Sequence, residues 1–198
     1  MPELEVRELT ENELTAAGGV AGRALADNPS SRWMWGEEPI HRVRCSLDFL
    51  GGMVIGMPLP QLGAVVGRHV VGVCAAAGPA TCLASQAPDD LRTLPAAVGP
   101  PGDDSRATAG WSLIAVHDLE ERHWHVGPVG VEPGLQGRGV GGRMLTALGE
   151  RLDADGEIGW LETDKPENVA LYHRHGYDVT EEVELHGLTT WFMRRDPR

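Results

Sequence analysis

Basic residues are in short supply: 17 Lys and Arg stand against 29 Asp and Glu, giving a formal net charge of −12 at pH 7 over 198 residues. That balance argues against a nucleic-acid partner, because phosphate contacts need clustered Lys and Arg. Cysteine is scarce as well. Cys45, Cys74 and Cys82 are odd in number and form no CxxC, which gives neither a disulfide framework nor a zinc knuckle. Cys74, within VVGVCAAAG, reads as a small core residue. Cys45 and Cys82 become a reactive pair only if the fold joins them. The histidine pairs His123/His125 and His173/His175 lack carboxylate or Cys partners at ligand spacing along the chain, so no metal is expected. Long apolar runs are missing too. The most membrane-like stretch, GGMVIGMPLP at 51–60, is too short to cross a bilayer, and the charged N-terminus MPELEVRELT does not resemble an export signal. These absences imply a soluble, cytoplasmic protein without a membrane partner, and the length suits one domain spanning 1–198.

What is present alternates between strand and helix patterns. Leu4, Val6 and Leu9 alternate with charged residues, as in an edge strand. Thr10 with Glu13 is a capping-box pattern opening a helix to about Asp27. Residues 28–36, NPSSRWMWG, read as a loop. A second helix is expected over 39–53, with Ile40, Val43, Leu47 and Leu50 on one face. GAVVG at 63–67 and VVGVCAAAG at 70–78 suggest a hairpin turning at Arg68-His69. Residues 79–103 read as a loop with at most one short helix near 88–94. Then come a helix over 105–119, a strand over 123–131, a glycine-rich turn and an amphipathic helix to about Asp155. A strand at 157–163, a helix at 166–175 and strands near 177–185 and 188–195 complete an α/β (α+β) pattern, a mixed sheet with helices on its faces.

The turn EPGLQGRGVGG, residues 132–142, joins a strand to a helix whose apolar face is Val140, Met144, Leu145, Leu148 and Leu152. Glycines at the mouth of a helix admit a ligand to the backbone, and the free N–H groups of the first turn attract anions. A pyrophosphate fits such a turn, with Arg138 and Arg143 adding charge at its rim. Gly137, Gly139 and Gly142 also spell G-x-G-x-x-G, the nicotinamide fingerprint. Against it, residues 132–136 separate the strand from the glycines, and too little chain follows for a βαβ series. In WLETDKPENVALYHRHGYDV, Asp164 with Glu167 looks like a capping box. Asn168 and Tyr172 are four apart on one helix face, and Gly176 stops the helix. On spacing alone Tyr172 reads first as a packing residue.

Gln136-Gly137-Arg138-Gly139-Val140-Gly141 resembles the Q/R-x-x-G-x-G/A signature of GNAT acetyltransferases. N-x-x-x-L/F-Y-x-x-x-G-F/Y, the second motif of that family, is similar to the run from Asn168 through Tyr172 to Tyr177. The resemblance implies a GNAT fold: a mixed, mostly antiparallel sheet of about six to seven strands, helices on both faces, and two strands splayed at the site of acetyl-CoA. It further implies that Val129, Gly130 and Val131 pair with the pantetheine arm and that Gln136, Gly137, Arg138, Gly139, Val140, Gly141 and Gly142 cradle the pyrophosphate. Asn168 would contact the cosubstrate arm, and Tyr172 would contact it and protonate the departing thiolate. From Trp124 to Met193 the chain is similar to puromycin N-acetyltransferase-like proteins. The implied activity is transfer of an acetyl group to a primary amine of a small molecule, such as an antibiotic-like or aminonucleoside acceptor. The alternative is a non-catalytic acyl-CoA-binding regulatory module of the same fold.

For the base, Glu162 at a strand end is the first candidate, against the plain alternative of a solvated carboxylate. His123 and His125 have a suitable reference pKa near 6.5; alternating with Trp124 and Val126, they project to one sheet face, where they either serve the acceptor or pack a helix. Trp33, Trp35 and Trp111 either line an acceptor pocket by cation–π contact or belong to the core. A homodimer through the C-terminal strands is a further expectation of the family resemblance.

Overall fold

The computed structural model describes residues 3–198. Its frame is a seven-stranded sheet in the order β1-β2-β3-β4-β5-β7-β6. The strands are β1 (Leu4–Glu8), β2 (Leu62–Val66), β3 (His69–Ala77), β4 (His123–Val131), β5 (Ile158–Thr163), β6 (Asp178–Leu185) and β7 (Leu188–Arg195). Neighbours run antiparallel except β4 and β5, which are parallel. One face carries α1 (Leu14–Leu25), α2 (Pro29–Trp35), α3 (Pro39–Ser46), α4 (Gly52–Gly56) and α5 (Asp104–Val116); the other carries α6 (Val140–Asp155) and α7 (Pro166–Arg174).

Because side chains alternate across a strand, the continuous apolar run of β3 serves both faces. Val73 and Ala75 meet Ala17, Val20 and Ala21 of α1, while Cys74 and Ala76 join the cluster of Met144, Leu145 and Leu148 on α6. The apolar stripe of α6 is the one its spacing predicts, with Val140, Met144, Leu145, Leu148 and Leu152 all buried. Each contributes about 1.5–3 kcal/mol on burial.

Two features of β4 open the sheet. Its pairing with β5 stops after His123, Trp124 and His125, opposite Ile158, Gly159 and Trp160. On its other side the register with β3 passes from Ala76↔Val126 to Cys74↔Val129, so Gly127 and Pro128 oppose a single residue. That bulge turns β4 away from β5, and beyond His125 the two strands diverge.

The N-terminal half departs from its sequence pattern. Residues 28–36 are not a loop but contain α2, with Pro29 in its first turn. The helix is capped from a distance: Asp164 Oδ2 accepts the Ser30 N–H at 2.6 Å. The same contact explains why Asp164 does not begin α7, whose N-cap is Lys165. The helical run from Pro39 does form, yet Ile40 is 80% exposed and Val43 also faces outward, whereas Arg42 is buried. The Arg42 guanidinium donates to the carbonyls of Ala26, at 2.9 Å, and Gly36, at 3.1 Å, and pairs with Asp27. It therefore closes the C-terminal ends of α1 and α2 at once. A π-turn at Leu47–Gly51 then shifts the helix phase before α4. Small residues complete the packing: a Cβ on Gly22 would sit 2.7 Å from Leu47 Cα, and one on Gly18 2.7 Å from the Gly51 carbonyl.

Candidate active site

Where β4 and β5 part, a cavity of about 200 Å³ opens. Its lining includes His125, Glu162, Asn168, Tyr172, Trp33 and Trp111. Leucine, methionine and alanine make up much of the remainder, and among the described residues no Lys or Arg lines it.

Glu162 lies on β5, partly exposed, and accepts a hydrogen bond from His125 Nε2 at 2.8 Å. Tyr172 comes from α7 and packs within the α6-side core at 7% exposure, its ring edge-on to Tyr177 at 6.0 Å. Glu162 belongs with His125 and Trp160 on the opposite side, so the two predicted groups reach one cavity from the two faces of the sheet. Burial, with the nearby Cys74, Tyr177 and Glu162, pushes the Tyr172 phenol well above its ordinary value, so it holds its proton at neutral pH. Asn168 lines the cavity beside Tyr172 and donates to Thr163 Oγ1 at 3.3 Å, which orients its amide at the end of β5.

The glycine turn lies at the far end of the split. Pro133–Leu135 form a single 3₁₀ turn, and Gln136 Nε2 donates to the Val131 carbonyl at 3.1 Å. Gly137 and Gly139 take φ of 72° and 79°, left-handed values that a Cβ disfavours. Around either, an added Cβ would find nothing within 4 Å, so backbone conformation rather than space requires glycine. Gly139 is the N-cap of α6, and no side chain caps the helix among the described residues. The Val140, Gly141 and Gly142 N–H groups precede the first intrahelical bond, from Arg143 N to Gly139 O at 3.1 Å, and are available to an anion. Gly141 adjoins Val131, so this helix end stands beside the end of β4. Val129, Gly130 and Val131 pair with Cys74, Val73 and Gly72 along one edge; the other edge has no strand beside it. Gly130 is also a close approach, since a Cβ there would lie 3.1 Å from Ala24 Cβ on α1. Arg138 is exposed. Arg143 is exposed as well and donates to the Leu4 carbonyl at 2.9 Å.

The tryptophans divide. Trp111 and Trp33 line the cavity, and Trp33 also donates to the His186 carbonyl and stacks under Arg106. Trp35 packs edge-on to Phe49 instead.

His123 and His125 share the α5-side face of β4, as the alternation predicts, with ring centroids 6.2 Å apart. The loops at 78–88 and 117–122 bring Cys82 and Asp118 against them, so the partners missing along the chain are present in space. Sequence spacing carried no signal for either residue beyond the His-x-His pair itself. Burial opposes charge here, but it is outweighed. His123 and His125 with Ser85 bring the Cys82 thiol down to about 6. Asp118 and Cys82 raise His123 to about 9, and Glu162, Asp118 and Cys82 hold His125 well above the imidazole range. Asp118, also hydrogen-bonded by Ser85, sits well below the carboxylate range.

Residues 94–177 match the model of the Acetyltransferase (GNAT) family. A Corynebacterium glutamicum protein described as histone acetyltransferase HPA2 and related acetyltransferase superimposes with a TM-score of 0.67 at 18% identity, covering 100% of this chain and 98% of the other. The Drosophila melanogaster polyamine N-acetyltransferase gives 0.70 at 15% identity, covering 98% and 100%. The Salmonella typhimurium yncA protein, solved with its cofactor acetyl-CoA, gives 0.56 at 15% identity, covering 98% and 94%. Residues 94–177 are thus similar to the GNAT acetyltransferase family, and the chain as a whole has the fold of the solved acetyltransferases.

Proposed function

We propose that the protein is a single-domain, cytoplasmic N-acetyltransferase that moves the acetyl group of acetyl-CoA directly to a primary amine of a small molecule. The observation that carries this reading is the split between β4 and β5, with Glu162 and Tyr172 on the cavity it opens and the uncapped N-terminus of α6 beside it. An anionic diphosphate suits three free N–H groups and two left-handed glycines without any lysine. The open edge of Val129–Val131 offers backbone partners to an extended amide-bearing arm, as in strand addition.

The chain's own groups then account for the proton traffic. Glu162, held by His125 Nε2–H, takes a proton from the incoming ammonium. The free amine attacks the thioester carbonyl; as the C–S bond breaks, Tyr172, neutral because it is buried, gives its proton to the leaving thiolate and is restored by the proton that the acylated nitrogen sheds. No covalent enzyme intermediate is required.

The cavity suits a cation with an apolar body: carboxylates at Glu162 and Asp164, indole at Trp33 and Trp111, and no Lys or Arg among its described lining residues. The resemblance of residues 124–193 to puromycin N-acetyltransferase-like proteins and the amine named for the Drosophila neighbour both favour that class of acceptor.

A screen of aminonucleosides, aminoglycosides, polyamines, amino acids and protein N-termini with acetyl-CoA, following release of free CoA, tests the proposal. Turnover on at least one small amine is the expected result. Acetyl-CoA binding without transfer to any of them points instead to the non-catalytic module.

A further inference from the structure

Cys82, Asp118, His123 and His125 form a second group of side chains; Cys82 and His125 also border the cavity, and His125 touches Glu162. One donor atom from each lies within 4.8 Å of the others. We infer that these four side chains form a closed tetrahedral site for a borderline-soft divalent cation of the zinc type.

The outer nitrogens of the two imidazoles carry the argument. His123 Nδ1 lies 2.8 Å from the Glu121 carbonyl, an acceptor, so the proton of the neutral ring sits there. His125 Nε2 lies 2.8 Å from the Glu162 carboxylate and donates in the same way. The inner nitrogens, His123 Nε2 and His125 Nδ1, are thereby left with lone pairs turned toward Cys82 and Asp118. This is the outer-shell pattern that fixes the tautomer of metal-bound histidine.

Three of the spacings suit a common centre through Asp118 Oδ1, and all four donor atoms lie within 4.8 Å of one another. Asp118 Oδ1 stands 3.1 Å from His123 Nε2 and 3.2 Å from His125 Nδ1. Cys82 Sγ stands 3.6 Å from His125 Nδ1 and 3.8 Å from Asp118 Oδ2. Metal bonds of about 2.0–2.3 Å in a tetrahedron separate the donor atoms by about 3.3–3.7 Å.

A network held by protons alone fits less well. His123 Nε2 is buried without a hydrogen-bond partner among the described residues: Asp118 is near it but out of line, so a proton on Nε2 has no aligned acceptor. A thiolate and a carboxylate around a divalent cation sum to zero charge, which suits a site where Cys82 is 1% and the Asp118 and His123 side chains are each 2% exposed. Four protein ligands with little access describe a structural rather than a catalytic centre. Its effect is to fasten the loops after β3 and α5, which carry Cys82 and Asp118, onto β4 beside the cavity.

The test uses the full chain. Purified protein is stripped with chelator, incubated with Zn²⁺ or Co²⁺, desalted, and its metal counted by mass spectrometry alongside thermal unfolding. We expect one equivalent per chain, a Tm that falls on stripping and returns with Zn²⁺, and a Co²⁺ spectrum with intense tetrahedral d–d bands and thiolate charge transfer. Cys82→Ala and Asp118→Asn should lose the equivalent, while Cys45→Ala keeps it. Wild-type protein that retains no metal after desalting, with an unmoved Tm, overturns the site. So does a full equivalent in Cys82→Ala, and an octahedral Co²⁺ spectrum in the wild type overturns it without relying on any variant.

Discussion

At the scale of single residues, the proposal rests on two groups that the open sheet allows to meet. Tyr172 packs among the aliphatics of the α6 side, and Glu162 rises from the other side of β5; both border the cavity because the strands have separated. Tyr172→Phe keeps the ring and removes the acid. Its kcat on a good amine should fall about 10²-fold, with acetyl-CoA affinity within a few-fold of wild type. An unchanged kcat removes Tyr172 from proton delivery. Glu162→Gln should lower kcat/KM most at low pH, where the acceptor is most fully protonated and needs the base; equal loss at every pH argues for a structural role instead. The expectation that Tyr172 is the acid came only through its motif, since spacing alone does not separate a proton donor from a core phenol. Cys82 and Asp118 carried no signal because their loops fix no register with β4, and Arg42 was hidden because a buried guanidinium on two helix ends breaks the rule that charge faces water.

Among the elements, the C-terminal ones were readable almost to the residue. Gly139, Gly156 and Gly176 take left-handed φ at the ends of α6 and α7, and a turn that only glycine adopts easily leaves little freedom in where an element begins or stops. Of the N-terminal helices only α2 ends on such a glycine, Gly36 at φ 84°. The N-terminus of α2 is capped by Asp164, 134 residues along the chain from Ser30, and the phase of the run from Pro39 changes at a π-turn, so local pattern missed the first helix and the buried face of the second. Two predictions belong here. Gly139→Val forces a branched side chain to φ 79°, at a cost of roughly 1–2 kcal/mol. It should weaken acetyl-CoA binding more than tenfold as the first-turn N–H groups shift; calorimetry showing normal affinity counts against the anion site. The capping box at Thr10 and Glu13 is a pH-dependent element. Arg7, then the Thr10 N–H, hold the Glu13 carboxylate at about 2, below its ordinary 4.5. A depressed carboxylate stabilises the fold above its unfolded pKa and loses that contribution as pH falls toward its folded one. Glu13→Gln should therefore cost about 1 kcal/mol at pH 7, and denaturation curves for the two proteins should converge between pH 4.5 and 2. A gap that stays constant over that window refutes the assignment.

For the molecule as a whole, the sheet holds two strands apart while every other pair stays zipped. β6 pairs with β7 from Asp178↔Arg194 to Leu185↔Leu188 and β3 pairs along β2 and β4, leaving the split between β4 and β5 as the opening at the cavity. The bulge at Gly127–Pro128 accompanies the opening, and a proline within a central strand suits such a break in pairing. The chain carries a formal net charge of −12, so a multiply charged amine should be drawn in and its KM should rise as salt screens the field. A KM for a polyamine independent of ionic strength contradicts that steering. Mass spectrometry of an amine incubated with the protein and acetyl-CoA decides whether transfer takes place. The expected product is an amine carrying one added acetyl group for each CoA released, formed far more slowly by Tyr172→Phe; CoA released without acetylated amine, or product formed equally fast by that variant, rules the proposed transfer out.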